Sequence, residues 1–124
     1  MNGKRILVVD DSEIIRHLVE CTIKEFGSGY QVALANNGVT ALAELHKESF
    51  DLMMTDFNMP GMTGIELAQK VHQILPDLRI VLMTGRDIIE TEAEARRLHL
   101  NFDGYLNKSF TLAQLSRIVV PKKA

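Results

Sequence analysis

The sequence has 124 residues, of which 46% are hydrophobic and 24% charged, so we expect one globular domain over residues 1–124. A net charge of −2 gives no electrostatic reason to bind nucleic acid or an anionic membrane, and we expect neither partner. The single cysteine, Cys21, cannot form an internal disulfide, and the start "MNGKRILVVDD" contains no apolar signal region. We therefore expect a cytoplasmic protein.

The first half of the chain alternates between strand and helix patterns. "RILVV" (5–9) is a continuous apolar run, which is typical of a strand covered on both faces. A helix begins after the N-cap Ser12, and its apolar residues recur every three or four positions. This stripe, expected to face the core, comprises Ile14, Ile15, Leu18, Val19, Thr22, Ile23 and Phe26, and Cys21 is expected to be a small core residue beside it. "YQVALA" (30–35) then predicts a strand, "NNGVTALAELHKES" a helix and "DLMMT" (51–55) the third strand.

The second half continues in the same way. "TGIELAQKVHQILP" predicts a helix that begins at a capping box of Thr63 and Glu66. "LRIVLM" (78–83) predicts the fourth strand. "DIIETEAEARRLHL" is helical, but charges crowd its thin apolar stripe, so we expect a weakly packed helix that moves easily. "DGYLN" (103–107) predicts a short fifth strand, "TLAQLSRIVV" the last helix, and "PKKA" a solvated tail.

Five strand–helix repeats with short connections predict parallel strands joined by right-handed crossovers. The fold class is therefore α/β, with a doubly wound sheet. In such sheets the ligand site lies outside the carboxyl ends of the strands, which directs attention to the residues at those ends.

Polar residues follow four of the five predicted strands: Asp10 and Asp11, Asp56, Thr84, and Lys108. Three carboxylates at one edge repel one another and raise each other's pKa values, and a hard divalent cation such as Mg²⁺ relieves that repulsion. An ammonium, a hydroxyl and a spare carboxylate beside such a cation suit phosphoryl transfer to the carboxylate.

In its order and spacing, this set resembles the receiver domain of bacterial response regulators, the CheY-like family. The resemblance covers essentially the whole chain, from "ILVVDDS" to "YLNKSF". It implies a five-stranded sheet of order 2-1-3-4-5 in a three-layer α/β/α arrangement. It also implies a signalling switch that catalyses its own phosphorylation and dephosphorylation but acts on no external substrate.

The resemblance further assigns a role to each matching position. Asp56 would accept the phosphoryl group from a sensor histidine kinase or a phosphotransfer protein. Mg²⁺, or Mn²⁺ as an alternative ion, would be held by Asp10, Asp11, Asp56 and the backbone carbonyl of Asn58.

Thr84 and Lys108 would contact the phosphoryl oxygens. Thr84 and Tyr105 would form the switch that alters the face of the fourth helix, fifth strand and fifth helix, which an output domain or target protein then recognises. Loop residues that tune phosphate lifetime and access would be Asn58, Gly85, Arg86 and Ser109.

Three departures from the family pattern stand out. Ser109 replaces a proline that often follows a cis bond, so we expect either a trans Lys108–Ser109 bond with a re-routed loop or a strained cis bond, at about 2.5–4 kcal/mol. Asn101 and Phe102 replace a glycine–alanine pair. Asparagine tolerates the left-handed conformation that a helix stop needs, so the fold should survive, and Phe102 should add bulk near the fourth helix and fifth strand. Gly85 replaces a more usual alanine and should loosen the loop after the fourth strand.

Three other functions compete with this interpretation. An aspartyl-phosphate hydrolase needs a second aspartate two residues after the nucleophile, where this chain has Asn58. A flavin carrier needs a phosphate-cradling loop rich in Ser, Thr and Gly after the first strand, where this chain has the acidic "DDSE". A degenerate receiver that serves only as a phosphorylation-independent docking module stays open because of Ser109.

Overall fold

The computed structural model of the chain describes residues 4–120, and the predicted solvated tail at 121–124 lies outside them. Strands and helices alternate throughout. The strands are β1 (Lys4–Val9), β2 (Tyr30–Ala35), β3 (Leu52–Asp56), β4 (Arg79–Thr84) and β5 (Gly104–Asn107). The helices are α1 (Glu13–Lys24), α2 (Gly38–Lys47), α3 (Gly64–Ile74), α4 (Ile88–Arg97) and α5 (Leu112–Val119).

The five strands form one parallel sheet of order β2-β1-β3-β4-β5. This order confirms the predicted α/β class and doubly wound topology. Strand order reverses beside β1, because β2 lies on one side of it and β3 on the other. The carboxyl ends of β1 and β3 therefore flank the switch point at which ligands bind in this architecture.

Each helix is preceded by a capping residue whose side chain accepts a hydrogen bond from a backbone N–H of the first turn. The caps are Ser12, Asn37, Thr63, Asp87 and Thr111. Reciprocal capping boxes at α2, α3 and α5 satisfy further backbone donors that a helix start leaves free. These caps fix where the helices leave the sheet edge that carries the site.

Alternating strand residues divide the core between the two faces of the sheet. Ile6 and Val8 of β1 pack with α1 and α5 on one face. Leu7 and Val9 pack with α2 and α3 on the other. A smaller cluster under α4 contains Phe57, Ile65, Leu82 and Ala95. The arrangement is the predicted three-layer sandwich, with α4 contributing only Thr91 and Ala95 as buried residues.

The predicted inward face of α1 is too wide. Val19 and Ile23 are buried, but Ile14 and Leu18 are 79% and 48% exposed, and Cys21 is exposed rather than in the core. The helix buries a narrow stripe because it lies over the edge of the sheet, where β2 is the last strand. Apolar spacing alone does not show how much of a helix its neighbours cover.

The end of α4 also differs from expectation. Among residues 4–120, His99 is the one non-glycine residue with a positive φ, at 57°, so the chain makes its left-handed turn there and not at Asn101. Phe102 then packs edge-on against Tyr105, with ring centroids 5.9 Å apart, which confirms its expected place beside α4 and β5. Within residues 4–120, the helices are too short or too polar to cross a lipid bilayer.

Candidate functional site

The sheet register brings the predicted site residues to one edge. Asp56 is the last residue of β3 and pairs with Met83 of β4. Asp10 follows Val9, which pairs with Thr55, so Asp10 and Asp56 end neighbouring strands at the same level. Thr84 ends β4, and Lys108 directly follows β5. Four strands thus deliver their polar ends to one surface.

Asp56 is 4% exposed, and the start of α3 packs closely against its backbone. Its Oδ1 accepts a long hydrogen bond from the backbone N–H of Asn58, at 3.4 Å. Gly64 begins α3 directly against this strand end, where its N–H donates to the carbonyl of Phe57. A Cβ at Gly64 would overlap the carbonyl oxygen of Asp56, so only glycine permits this approach.

Lys108 joins the two buried carboxylates. Its Nζ lies 3.0 Å from Oδ2 of Asp10 and 3.0 Å from Oδ1 of Asp56. The other oxygen of Asp10 accepts a hydrogen bond from the N–H of Ser12, at 2.9 Å. One ammonium therefore neutralises two carboxylates only in part, and a negative charge remains at the base of the site.

Burial, together with these neighbouring charges, shifts the pKa values of Asp56 and Lys108. Burial raises the pKa of Asp56 from 3.8 to about 6, and the charge of Asp10 adds to the increase, while Lys108 and the Asn58 amide oppose it. Burial lowers the pKa of Lys108, but Asp10 and Asp56 outweigh that effect and hold the pKa above its usual value. Lys108 is therefore charged at neutral pH, and Asp56 is mostly ionised.

The three carboxylates have the geometry of a cation site. Oxygens of Asp10, Asp11 and Asp56 lie within 4.8 Å of one another. Oδ2 of Asp10 is buried and has no hydrogen-bond partner in the described chain, although the Lys108 ammonium lies 3.0 Å away. Asp11 is exposed and so keeps the cluster open to solvent. An all-oxygen set with room for water fits Mg²⁺.

Thr84 is buried and its hydroxyl is already engaged. The backbone N–H of Arg86 donates to its Oγ1 at 2.9 Å, and the hydroxyls of Thr84 and Thr91 lie 3.2 Å apart. Thr91 belongs to α4 and also donates to the carbonyl of Asp87. The hydroxyl predicted to contact a phosphoryl group is thus tied both to its own loop and to α4.

The peptide bond after Lys108 has the trans form, which was one of the two predicted alternatives. Ser109 donates from both its N–H and its hydroxyl to Oδ1 of Asn107, at 2.9 and 2.7 Å. The N–H of Lys108 donates to the carbonyl of Thr84 at 2.8 Å, which continues the β4–β5 pairing past the end of the strand.

The other predicted residues surround this centre. Tyr105 lies half-buried in the cluster under α4. Burial and the nearby charge of Glu92 raise its pKa. Asn58, Gly85 and Arg86 are exposed around the mouth of the site. A Cβ at Gly85 would meet open space, so this glycine is not required by packing.

Sequence reasoning missed two residues of this network, Thr91 and Asn107. Thr91 is a polar residue on the thin buried stripe of α4, in the first turn after the cap Asp87. Asn107 is an amide at the end of an apolar strand, opposite Thr84 in the register. For Thr91, a polar residue on a buried stripe was the available signal. Asn107 is only half-buried, and nothing in the sequence pattern marks it.

Comparison with known proteins agrees with this geometry. Residues 6–120 match the response regulator receiver domain family. The chain is 38% identical to chemotaxis protein CheY of Pseudomonas aeruginosa over 112 residues, which cover 86% of each protein. It is 39% identical over 113 residues to the sensor histidine kinase RcsC of Salmonella typhi, covering 90% of this chain and 11% of that protein.

Among solved structures, the response regulator TrrA of Thermotoga maritima, in complex with Mg²⁺–BeF, superposes with a TM-score of 0.80 and 34% identity. The alignment covers 94% of this chain and 96% of that one. The sheet order, the acidic edge and these similarities lead to one conclusion: the chain belongs to the response regulator receiver domain family and is a CheY-like receiver domain of two-component signalling.

Proposed function

We propose that Asp56 accepts a phosphoryl group from a phosphohistidine of a sensor histidine kinase or phosphotransfer protein. The observation that carries the proposal is the Lys108 ammonium, 3.0 Å from both Asp10 and Asp56. A carboxylate oxygen of Asp56 attacks phosphorus and forms an O–P bond. The P–N bond breaks, and its electron pair stays on the imidazole nitrogen. Water later attacks the acyl phosphate, restores the carboxylate and releases inorganic phosphate.

The surrounding residues supply positive charge and orientation for this transfer. Lys108 would shift from the free carboxylate to the phosphoryl oxygens, and the Thr84 hydroxyl would donate to one of them. The carboxylates of Asp10, Asp11 and Asp56 and the carbonyl of Asn58 would hold Mg²⁺. When bound, the ion supplies charge that stabilises the phosphoryl oxygens. The Mg²⁺–BeF complex of TrrA supports this choice, whereas Mn²⁺ has no support of its own.

The output would come from redistributed hydrogen bonds near α4. A phosphoryl group adds about −1.5 to −2 charges at the sheet edge. Drawing the Thr84 hydroxyl toward it breaks the bonds with Arg86 and Thr91 and biases the position of α4. Together with Tyr105, this alters the α4–β5–α5 face for an output domain or target protein. A cytoplasmic location stays part of the proposal.

The test is incubation with acetyl phosphate and Mg²⁺, followed by intact-mass measurement. Wild type should gain the mass of one phosphoryl group, and EDTA should prevent the gain. Asp56→Asn should gain nothing. The matched control Asp77→Asn removes an exposed carboxylate far from the site and should behave as wild type. A wild type that stays unmodified refutes the proposal and favours the phosphorylation-independent docking module.

A further inference from the structure

The side-chain amide of Asn107 joins the two loops that leave the site. Its Nδ2 donates to the carbonyl of Arg86 in the β4–α4 loop, at 3.1 Å. Its Oδ1 accepts from both the N–H and the hydroxyl of Ser109 in the β5–α5 loop. One side chain therefore makes three hydrogen bonds to two separate loops.

The chemistry of these partners fixes the orientation of the amide. Arg86 presents a carbonyl, which can only accept, so a donor must face it. Ser109 presents its backbone N–H, so an acceptor must face that side. Among side chains that fit here, a primary amide offers a donor and an acceptor from one planar group. An aspartate would place an oxygen against the Arg86 carbonyl, and an apolar residue would leave all three groups without this partner.

The two residues proposed to contact the phosphoryl group lie at the starts of these loops: Thr84 is the last residue of β4, and Lys108 directly follows β5. Asn107 pairs with Thr84 in the sheet and directly precedes Lys108. Arg86 is held at both ends of its backbone, since its N–H donates to the Thr84 hydroxyl and its carbonyl accepts from Asn107. A continuous hydrogen-bonded path thus runs from the Thr84 hydroxyl through Arg86 and Asn107 to Ser109.

Ser109 is essential to the second half of this path. A trans Lys108–Ser109 bond leaves the Ser109 N–H free to donate, whereas a proline at this position would have no N–H. The bonds to Asn107 close a tight turn around Lys108, whose own N–H is held by the Thr84 carbonyl. The Lys108 backbone is therefore fixed on both sides, and its side chain starts from one defined direction.

We propose that Asn107 is a positioning residue for phosphoryl transfer: it aligns Lys108 with Asp56 and holds the β4–α4 loop in register with it. This inference rests on the proposed function of Asp56. Asn107 touches neither carboxylate, so it acts through Lys108 and Arg86. Its removal should slow the transfer while leaving the binding of Mg²⁺ to the acidic cluster unchanged.

The experiment compares wild type with Asn107→Ala, Ser109→Ala and the control Asn101→Ala, which removes an exposed amide outside the network. Phosphorylation by acetyl phosphate is followed by mass over time, at saturating and subsaturating donor. Asn107→Ala should lower the saturating rate roughly 3- to 10-fold, the size of one or two lost neutral hydrogen bonds. Ser109→Ala should lower it about twofold, and Asn101→Ala should not change it.

Two readouts separate positioning from general damage. The Mg²⁺ dissociation constant, from calorimetry, should change less than about twofold in Asn107→Ala, because its ligands lie on other loops. A partly unfolded population would instead lower the final phosphorylated fraction and the Mg²⁺ stoichiometry. Exchange of the Ser109 amide proton, followed by NMR, should become faster in Asn107→Ala.

The outcomes are distinct. If wild type gains phosphoryl mass and Asn107→Ala is phosphorylated at the same rate, the inference is overturned but the proposed function is not. Equal losses of rate and Mg²⁺ affinity assign Asn107 a purely structural role and also overturn it. An unmodified wild type overturns the proposed function, and the inference with it. Should Asn107→Ala fail to fold, Ser109→Ala, a surface change, provides the same comparison of rate with Mg²⁺ affinity.

Discussion

Replacing Asp56 with asparagine should stabilise the fold at neutral pH in metal-free buffer. The substitution keeps the size of the side chain and removes a charge that is 4% exposed. That charge lies beside a second buried carboxylate, Asp10, and shares with it the single ammonium of Lys108. The native site therefore holds an ionised group that the unfolded chain would solvate better.

The size of the effect follows from the pKa of Asp56, which burial raises from 3.8 to about 6. At 1.36 kcal/mol per pH unit, the rise corresponds to about 3 kcal/mol. Solvent at the mouth of the site screens part of this, so we expect about 1–2 kcal/mol. Because the folded pKa is the higher one, the penalty is absent below pH 3.8, grows between 3.8 and about 6, and is complete above that range.

The assay is urea unfolding of wild type and Asp56→Asn in EDTA, at pH values from 4.5 to 8. Asp56→Asn should be more stable at pH 8, and the difference should shrink as the pH falls toward 4.5. A less stable variant would show that the Lys108 contact outweighs burial. A difference that does not vary with pH would assign the effect to packing, and either result refutes the electrostatic explanation.

Three further predictions concern the surroundings of the site. Saturating Mg²⁺ at one hundred times its dissociation constant should stabilise wild type by about 2.7 kcal/mol in urea unfolding, and Asp11→Ala should lose most of this gain without loss of metal-free stability. Gly64→Ala should destabilise the fold by roughly 2–4 kcal/mol in the same assay because its Cβ overlaps a backbone oxygen, whereas Gly85→Ala should stay within about 0.5 kcal/mol; equal effects would contradict the steric explanation. Thr91→Val should speed phosphorylation by acetyl phosphate about two- to fivefold, since it frees the Thr84 hydroxyl, and Thr91→Ser should match wild type; a slower Thr91→Val would show that the bond to α4 helps the transfer.

Much of the fold could be predicted from the sequence because its local patterns favour the same helices and strands that the tertiary contacts stabilise. Capping residues such as Thr63 and Thr111 mark helix starts by short-range hydrogen bonds, and the structure places the caps there. The width of a buried face depends on neighbours that the pattern does not specify. Ile14 and Leu18 are exposed for that reason. The turn at His99 escaped prediction because glycine or asparagine usually occupies such a helix stop, and Asn101 offered an asparagine two residues later.

The centre of the site was equally accessible to sequence reasoning. Asp10, Asp56 and Lys108 were expected together because each ends a strand, and parallel strands share one carboxyl edge. The contacts that tie this centre to its loops were not accessible. Asn107 and Thr91 act through side-chain orientation and strand register, which depend on the three-dimensional structure.

The position of Asp56 within the sheet determines which strands near the site can shift when Asp56 is modified. Strand β3 is paired on both sides and buried along all five residues, whereas β5 has four residues and forms one edge of the sheet. Strand β4 lies between the two, so a new group on Asp56 would be attached to the firmly paired β3, two strands away from the edge strand β5. Amide hydrogen exchange should be slowest in β3 and faster along β5. The proposed phosphorylation of Asp56 would therefore displace β5 and the loops that follow Thr84 and β5 more easily than β3 itself.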